Sequence, residues 1–423
     1  MDTGTIARAV WLSARDGEFA LFAGDWNGEL FLASGIESWG VPIVAGRLGS
    51  PRPAGIPAAL GPDDVAITGD PEHWQQLLAA VPPPSFTDWF GAQYAGTMRV
   101  SAGSPLDERR HGTLRRLCEL LRHAQNGTDP APQVISGPSR HGEHDIAVGR
   151  YVHLDLDGLD HRLYYEEAGE GIGLLCQHTA GSDGRQWRHL LEDDRVTAHF
   201  RVIAYDLPYH GKSLPSDGEP WWARRYSLTR ERAMAVPRAL AQVLGLDHPV
   251  FMGSSVGGML ALDLARYHPD DFRAVIACEA ALKLGQETTE GRPSERPQPW
   301  DPGLHAMSMM WGMAPTAPEA FRHETRLHYA QGAPGVFPGD IDYFSYEHDL
   351  RGEGHLIDTA RCPVHLFVGE YDYPTVQAAR VAHEQIPGST FQVMKGLGHF
   401  PMCEDPDRFL DAVLPVLNLL AQS

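Results

Sequence analysis

The segment Val250–Pro269 reads VFMGSSVGGMLALDLARYHP. Its opening run, Val250, Phe251 and Met252, is short and apolar and stops at Gly253, as a buried strand does. Beyond it, Met259, Leu260, Leu262, Leu264 and Ala265 suit a helix that ends near Pro269. Strand and helix in so short a span require a tight turn, and Gly253 and Gly257 supply the space for one. Such a turn lifts the Ser255 hydroxyl to the end of the strand, with unpaired N–H groups of the helix start behind it. G-x-S-x-G also occurs as a plain structural turn. Its position between a strand and a helix favours a nucleophilic serine, which then needs partners elsewhere in the chain.

The chain has 423 residues, enough for two domains, and 43% hydrophobic residues, enough for a large core. A net charge of -20 argues against nucleic acid or an anionic membrane as a partner. The five cysteines are scattered, without C-x-x-C spacing, and read as buried thiols rather than disulfides or metal ligands. The N-terminus MDTGTIARAV is not a signal peptide, and no apolar run is long enough to span a bilayer. A cytoplasmic protein is expected, with no cofactor and no metal.

Three regions follow from composition. Residues 1–125 form a small α+β domain, with EFALFAG and GELFLASG expected as two strands joined around DWNG. A helix is expected to open at Pro71 after Asp70, and GTLRRLCELLRHA to form a second one. Residues 126–147, rich in Pro, Gly and polar side chains, read as a linker. From 148 to 423 strands and helices alternate, the pattern of a doubly wound, mostly parallel sheet. The N-terminal region holds no nucleophile, base and acid set, so docking or homo-oligomerisation is its expected use. Its strand, TGDPEHW and following helix also resemble, weakly, the lipid-binding domain of the sterol-carrier-protein-2 type.

A serine hydroxyl needs a base. His399, in KGLGHFPMCEDP, follows a strand and a glycine turn well after the serine, with one helix still to come. Two carboxylates compete for the third place. Asp372 follows the strand ending in VGE, and Glu279 ends the strand RAVIACE. Either strand end can reach the same imidazole, where a carboxylate holds the tautomer and stabilises the imidazolium. A carboxylate at the end of an apolar strand is costly unless paired, so the one that does not bond His399 is expected to line the site.

From about Tyr151 onward the chain resembles the α/β-hydrolase family. GSSVGG matches its nucleophile elbow, GLGHFPMCEDP its histidine loop, VGEYDYPT its acid turn, QHTAGSD its oxyanion loop and DLPYHGKS its D-x-x-G-x-G-x-S segment. The resemblance implies Ser255, His399 and an acid as the catalytic set. Asp372 stands at the family's usual acid position, and Glu279 at the position some relatives use. It also implies an oxyanion hole, for which the N–H groups of Thr179 and Val256 are the expected donors. Two departures stand out: His178-Thr179-Ala180-Gly181 replaces the usual His-Gly start of the oxyanion loop, and Tyr209 replaces the first glycine of DLPYHGKS.

Residues of about 284–357 exceed a simple crossover and resemble the family's helical cap. Their methionines and aromatics, Trp300, Met310 and Trp311 among them, together with Trp187 and Tyr209, are expected to line an apolar pocket. The expected function is hydrolysis of an ester or lactone of an apolar, aromatic small molecule through an acyl-enzyme. Alternatives are carbon–carbon hydrolysis of a diketone and ligand binding on a hydrolase scaffold; serine in place of aspartate at the elbow disfavours a dehalogenase.

Overall fold

A computed structural model describes residues 1–135, 137, 140–284, 302–333, 335–373 and 375–422. The chain forms two compact units, one of Met1–Val134 with Gly303–Glu319, the other of Ile135–Pro302 with Ala320–Ser423.

The first unit opens with helix Thr3–Ser13, whose N-cap Asp2 accepts the Thr5 N–H at 2.8 Å. EFALFAG, expected as a strand, lies in helix Gly17–Ala23. Asp16 decides this by accepting the Phe19 N–H at 2.7 Å, and Phe19 and Ala23, four residues apart, share the buried face. The hairpin lies one segment later, between β1 (Gly28–Ser34) and β2 (Glu37–Val44). The two short strands β3 (Arg47–Leu48) and β4 (Arg52–Pro53) pair with β2. β5 (Val65–Gly69) runs parallel to β1, and β6 (Met98–Ala102) antiparallel to β5. Helices Pro71–Leu77 and Glu108–Gln125 occur where the sequence places them. Trp74 and Trp89 are fully buried, with their ring N–H groups on Ala33 O and Leu114 O at 2.7 and 2.9 Å.

Gly303–Glu319, expected within the cap, packs in this first unit. Thr87 Oγ1 donates to Trp311 O at 2.7 Å, the Trp311 ring lies 4.9 Å from that of Tyr94, and Gln133 N–H donates to Glu319 Oε2 at 2.8 Å.

The second unit carries eight strands in the order β14-β13-β12-β11-β9-β10-β8-β7. These are β7 (Val148–Leu156), β8 (Leu159–Ala168), β9 (Ile172–Gln177), β10 (Phe200–Tyr205), β11 (Val250–Ser254), β12 (Ala274–Cys278), β13 (Val364–Gly369) and β14 (Thr390–Met394). β7 and β8 form the expected antiparallel pair, and the strands from β10 to β14 run parallel. Every residue of β11, β12 and β13 is buried, as parallel strands covered on both faces require. Connecting helices include Arg230–Val243, Val256–Tyr267 and Thr375–Gln385, and Pro406–Gln422 closes the chain. The loops after β9, β11, β12 and β13, carrying Thr179, Ser255, Glu279 and Asp372, therefore leave one edge of the sheet. Among the described residues, no helix is long and apolar enough to cross a membrane. All five cysteines are buried and unbridged.

Candidate active site

Ser255 sits between β11 and helix Val256–Tyr267 with φ 58° and ψ -114°, a conformation an L-residue adopts only under constraint. Its N–H donates to Cys278 O at 2.9 Å, and its carbonyl accepts the Met259 N–H at 2.8 Å. Glycine is obligatory around it. A Cβ on Gly253 would lie 2.2 Å from Gly257 O, one on Gly257 2.7 Å from Gln177 O, and one on Gly258 2.1 Å from Cys278 O. Ser255 keeps 7% of its surface exposed, while Ser254 beside it is sealed.

His399 Nδ1 lies 2.9 Å from Asp372 Oδ2. This bond fixes the proton on Nδ1 and leaves Nε2 as the basic nitrogen. Burial disfavours the imidazolium, but the Asp372 carboxylate outweighs it and the net shift of His399 is upward. Burial likewise opposes the charge on Asp372, and the His399 contact holds it below the ordinary aspartate range. Among the described residues no hydrogen bond joins Ser255 Oγ to His399. Such bonds are often long until substrate is bound.

Glu279, the rival acid, does not bond His399. It is fully buried at φ 51°, with Oε1 accepting the Gly369 N–H at 2.8 Å and its own N–H on Phe367 O at 2.9 Å. One ligand atom each of Glu279, Asp372 and His399 lies within 4.8 Å of the others. Burial first, and the Asp372 charge second, push the Glu279 carboxyl well above its ordinary range.

The expected oxyanion donors divide. Val256, 1% exposed, opens the helix behind Ser255, so its N–H is one of the unpaired first-turn donors. The Thr179 N–H is already taken, donating to Gln186 Oε1 at 2.9 Å, while Thr179 Oγ1 lies 2.5 Å from Tyr329 Oη. The next amide, Ala180, has no acceptor among the described residues and is 4% exposed. The loop itself is pinned. His178, which burial pushes down to about 4, donates from Nδ1 to Thr179 O at 2.8 Å and accepts the Leu207 N–H at Nε2 at 3.1 Å. Gly181 N–H donates to Asp340 Oδ2 at 2.7 Å, and His210 Nε2 reaches the same oxygen at 2.7 Å.

The remaining expected pocket residues stand elsewhere. Trp187 is fully buried, 6.1 Å from the Phe409 ring, and is a core residue rather than part of a rim. Met310 and Trp311 fold with the N-terminal unit. Trp300 lies outside the described residues. Tyr209 takes φ 77°, the conformation for which glycine is the natural residue, and its hydroxyl donates to Glu219. In the same loop Asp206 accepts N–H groups of Gly184 and Lys212 at 2.8 and 2.7 Å; burial and Asp183 push its carboxyl up to about 7. That is a loop-shaping role.

Two contributors, Gln186 and Glu404, escape a reading of the sequence, and a third, Tyr329, was expected only as one of the insertion's aromatics. Gln186 holds Thr179, Tyr329 from the insertion faces both Thr179 and Phe400, and Glu404 accepts the Gly398 N–H beside His399. Glu404 had a signal as an acid within the histidine loop motif, and Gln186 had none.

The family model described as the alpha/beta hydrolase family matches residues 174–412. The pimeloyl-[acyl-carrier protein] methyl ester esterase of Yersinia enterocolitica is 24% identical over 270 residues, 60% of this chain and 96% of that protein. A thermophilic esterase from Thermogutta terrifontis superposes with TM-score 0.55 at 23% identity, covering 64% of this chain and 99% of that one. The enol-lactonase from Burkholderia xenovorans LB400 gives TM-score 0.51 at 20% identity, covering 63% and 100%. At these identities the two structures establish the fold alone.

Proposed function

The chain belongs to the alpha/beta hydrolase family, and from that premise we propose that it is a serine hydrolase cleaving a carboxylic ester or lactone of an apolar small molecule. The observation that carries the proposal is the 2.9 Å His399–Asp372 bond at the same sheet edge as a serine held at φ 58°. A histidine so oriented presents Nε2 as a base, and a serine so strained presents its hydroxyl outward.

In this mechanism Ser255 Oγ attacks the ester carbonyl while His399 Nε2 takes its proton. The oxyanion of the tetrahedral intermediate is held by the Val256 N–H and, in place of Thr179, by the Ala180 N–H. Collapse breaks the bond to the leaving oxygen, which takes the proton from His399, and leaves an acyl group on Ser255. Water, deprotonated by His399, then attacks the acyl carbonyl, and the proton returns to Ser255 as the acid departs. The Phe400 ring, 4.9 Å from His399 and 5.7 Å from Tyr329, supports an apolar group on the substrate. The esterase name of the Yersinia relative points the same way.

A fluorophosphonate should label Ser255 covalently, and wild type set against Ser255→Ala on p-nitrophenyl esters, lactones and vinylogous diketones identifies the bond cleaved. Labelling at another serine overturns the proposal. Turnover of diketones alone moves the chain to carbon–carbon hydrolysis.

A further inference from the structure

Asp372 has two neighbours, His399 on one side and Glu279 on the other. Glu279 is fully buried, and only one of its oxygens is served: Oε1 accepts from Gly369, while Oε2 meets no donor. A carboxyl oxygen of Glu279 nevertheless lies within 4.8 Å of one from Asp372. Two carboxylates cannot bond each other, since each only accepts. A buried oxygen without a donor next to an acceptor without a proton is resolved by one hydrogen on that oxygen. The backbone agrees that the position is under demand. Glu279 holds φ 51°, a conformation that strains a residue with a side chain and persists where the surroundings impose it.

Resting on the Ser255–His399–Asp372 assignment above, we propose that Glu279 is a positioning residue that stands as the neutral acid, donating from Oε2 to the Asp372 carboxylate. Its hydrogen bond holds Asp372 against His399 Nδ1 and keeps a single negative charge directly behind the imidazole. A second charge there would favour the imidazolium in the resting enzyme and so remove the base. The groups that face Glu279 accord with a neutral acid. They include Asp372, Glu404 and the thiol of Cys278, with the Gly369 amide as a donor, and His399, whose ring nitrogen lies within 4.8 Å and whose charge in the imidazolium form acts toward ionisation. Burial and the Asp372 charge both act toward protonation.

The test is the rate of fluorophosphonate labelling at Ser255 against pH, which reads the basic state of His399 without a known substrate. Glu279→Gln supplies an amide N–H to Asp372 and an oxygen to Gly369. It should slow labelling by up to about tenfold and leave the acidic limb where it is in wild type. Glu279→Met keeps the volume but removes the donor. It should slow labelling by about 10- to 100-fold and move the acidic limb up by about one pH unit, because Asp372 becomes the stronger base behind the imidazole. If Glu279 is ionised at rest, Glu279→Gln instead removes a charge and moves the limb down by about a unit, and the proposal fails. A difference infrared spectrum, wild type minus Glu279→Gln at neutral pH, supplies an independent readout. A carboxylic-acid carbonyl band supports the neutral acid and a carboxylate pair overturns it. Should wild type fail to label at Ser255, the serine mechanism falls, and the infrared band still decides where the proton resides.

Discussion

Each unit of this chain buries a cluster of charged side chains, and the two clusters are built on opposite plans. In the N-terminal unit Arg115 and Arg116, 4% and 6% exposed, stand among four carboxylates. Arg116 takes Asp16 Oδ2 at 2.7 Å, Glu119 Oε2 at 2.7 Å and Glu319 Oε1 at 3.2 Å; Arg115 takes Glu119 Oε1 at 2.8 Å and bonds Glu18. Burial raises the cost of charge on Asp16, but Arg116 outweighs it and holds the carboxyl below its ordinary range. The cations that these carboxylates share, Arg115 and Arg116, are guanidiniums, whose protons do not move. At the sheet edge of the other unit a carboxyl meets a carboxyl and an imidazole, groups whose protons do move. The first plan fixes structure. The second leaves proton positions free to be used, which is what a site of general base chemistry requires.

That contrast breaks if residues of the second cluster prove structural, or residues of the first chemical. The largest expected effect is on Ser255→Ala, which should lower turnover of an activated ester by about 10⁴-fold or more with an unaltered thermal unfolding midpoint. Next is Asp372→Asn, which reverses the bond that orders the His399 tautomer and should cost about 10³–10⁴-fold. Steady-state kinetics on that variant beside Glu279→Gln ranks the two acids. If Glu279→Gln is the more damaged, Asp372 is the helper and Glu279 the partner of His399, against the 2.9 Å bond described here. In the N-terminal cluster, Arg116→Met removes the cation shared by Asp16, Glu119 and Glu319, of which Glu119 keeps Arg115. It should lower the stability of that unit by about 3–5 kcal/mol in urea unfolding, with Ser255 labelling per folded molecule unaltered. A large fall in labelling without a fall in stability would place chemistry in the N-terminal unit.

How much of this was visible in the amino acids follows the range of the interactions. The elbow around Ser255 is legible because its demands are local: Gly253 and Gly257 are required by contacts with a turn a few residues away and with Gln177. His399 and Asp372 are legible through motif and chain order, though which acid bonds the imidazole needs the strand order that brings β12, β13 and β14 side by side. EFALFAG has apolar residues enough for either element, and one side-chain cap at Asp16 tipped it to helix. That the Thr179 N–H is engaged by Gln186, seven residues on, is not legible, because no periodicity records a side chain bonding to backbone. Met310 and Trp311 form an apolar stretch that suits any interior. Composition cannot say that Gly303–Glu319 packs with Thr87 and Tyr94 rather than over a serine.

The smallest expected effect is the most specific, and it lies in the pH dependence of stability. Glu279 in the fold holds its proton more tightly than the unfolded chain does. Below the ordinary glutamate range both states carry the proton, and the favourable contribution of holding it is fully present. As pH rises from about 4.5 the unfolded state releases the proton while the folded state keeps it, so that contribution is lost progressively until the folded carboxyl ionises. Asp372 acts with the opposite sign and in a lower window. Its contribution is present above the ordinary aspartate range and disappears as acid protonates the folded carboxylate. Glu279→Gln, which has no proton to hold, should therefore gain stability relative to wild type as pH rises above about 4.5. The difference should grow by no more than about 1.4 kcal/mol per pH unit, the limit for one proton. The matching substitution in the other cluster, Glu119→Gln, leaves Arg115 and Arg116 short of a carboxylate and should be less stable than wild type throughout that range. Denaturant titrations of the three proteins at several pH values between about 4 and 9 check both. A wild-type to Glu279→Gln difference that is flat with pH would mean that Glu279 ionises in the fold as readily as in the unfolded chain, and the two buried clusters would then differ in composition but not in how they hold their protons.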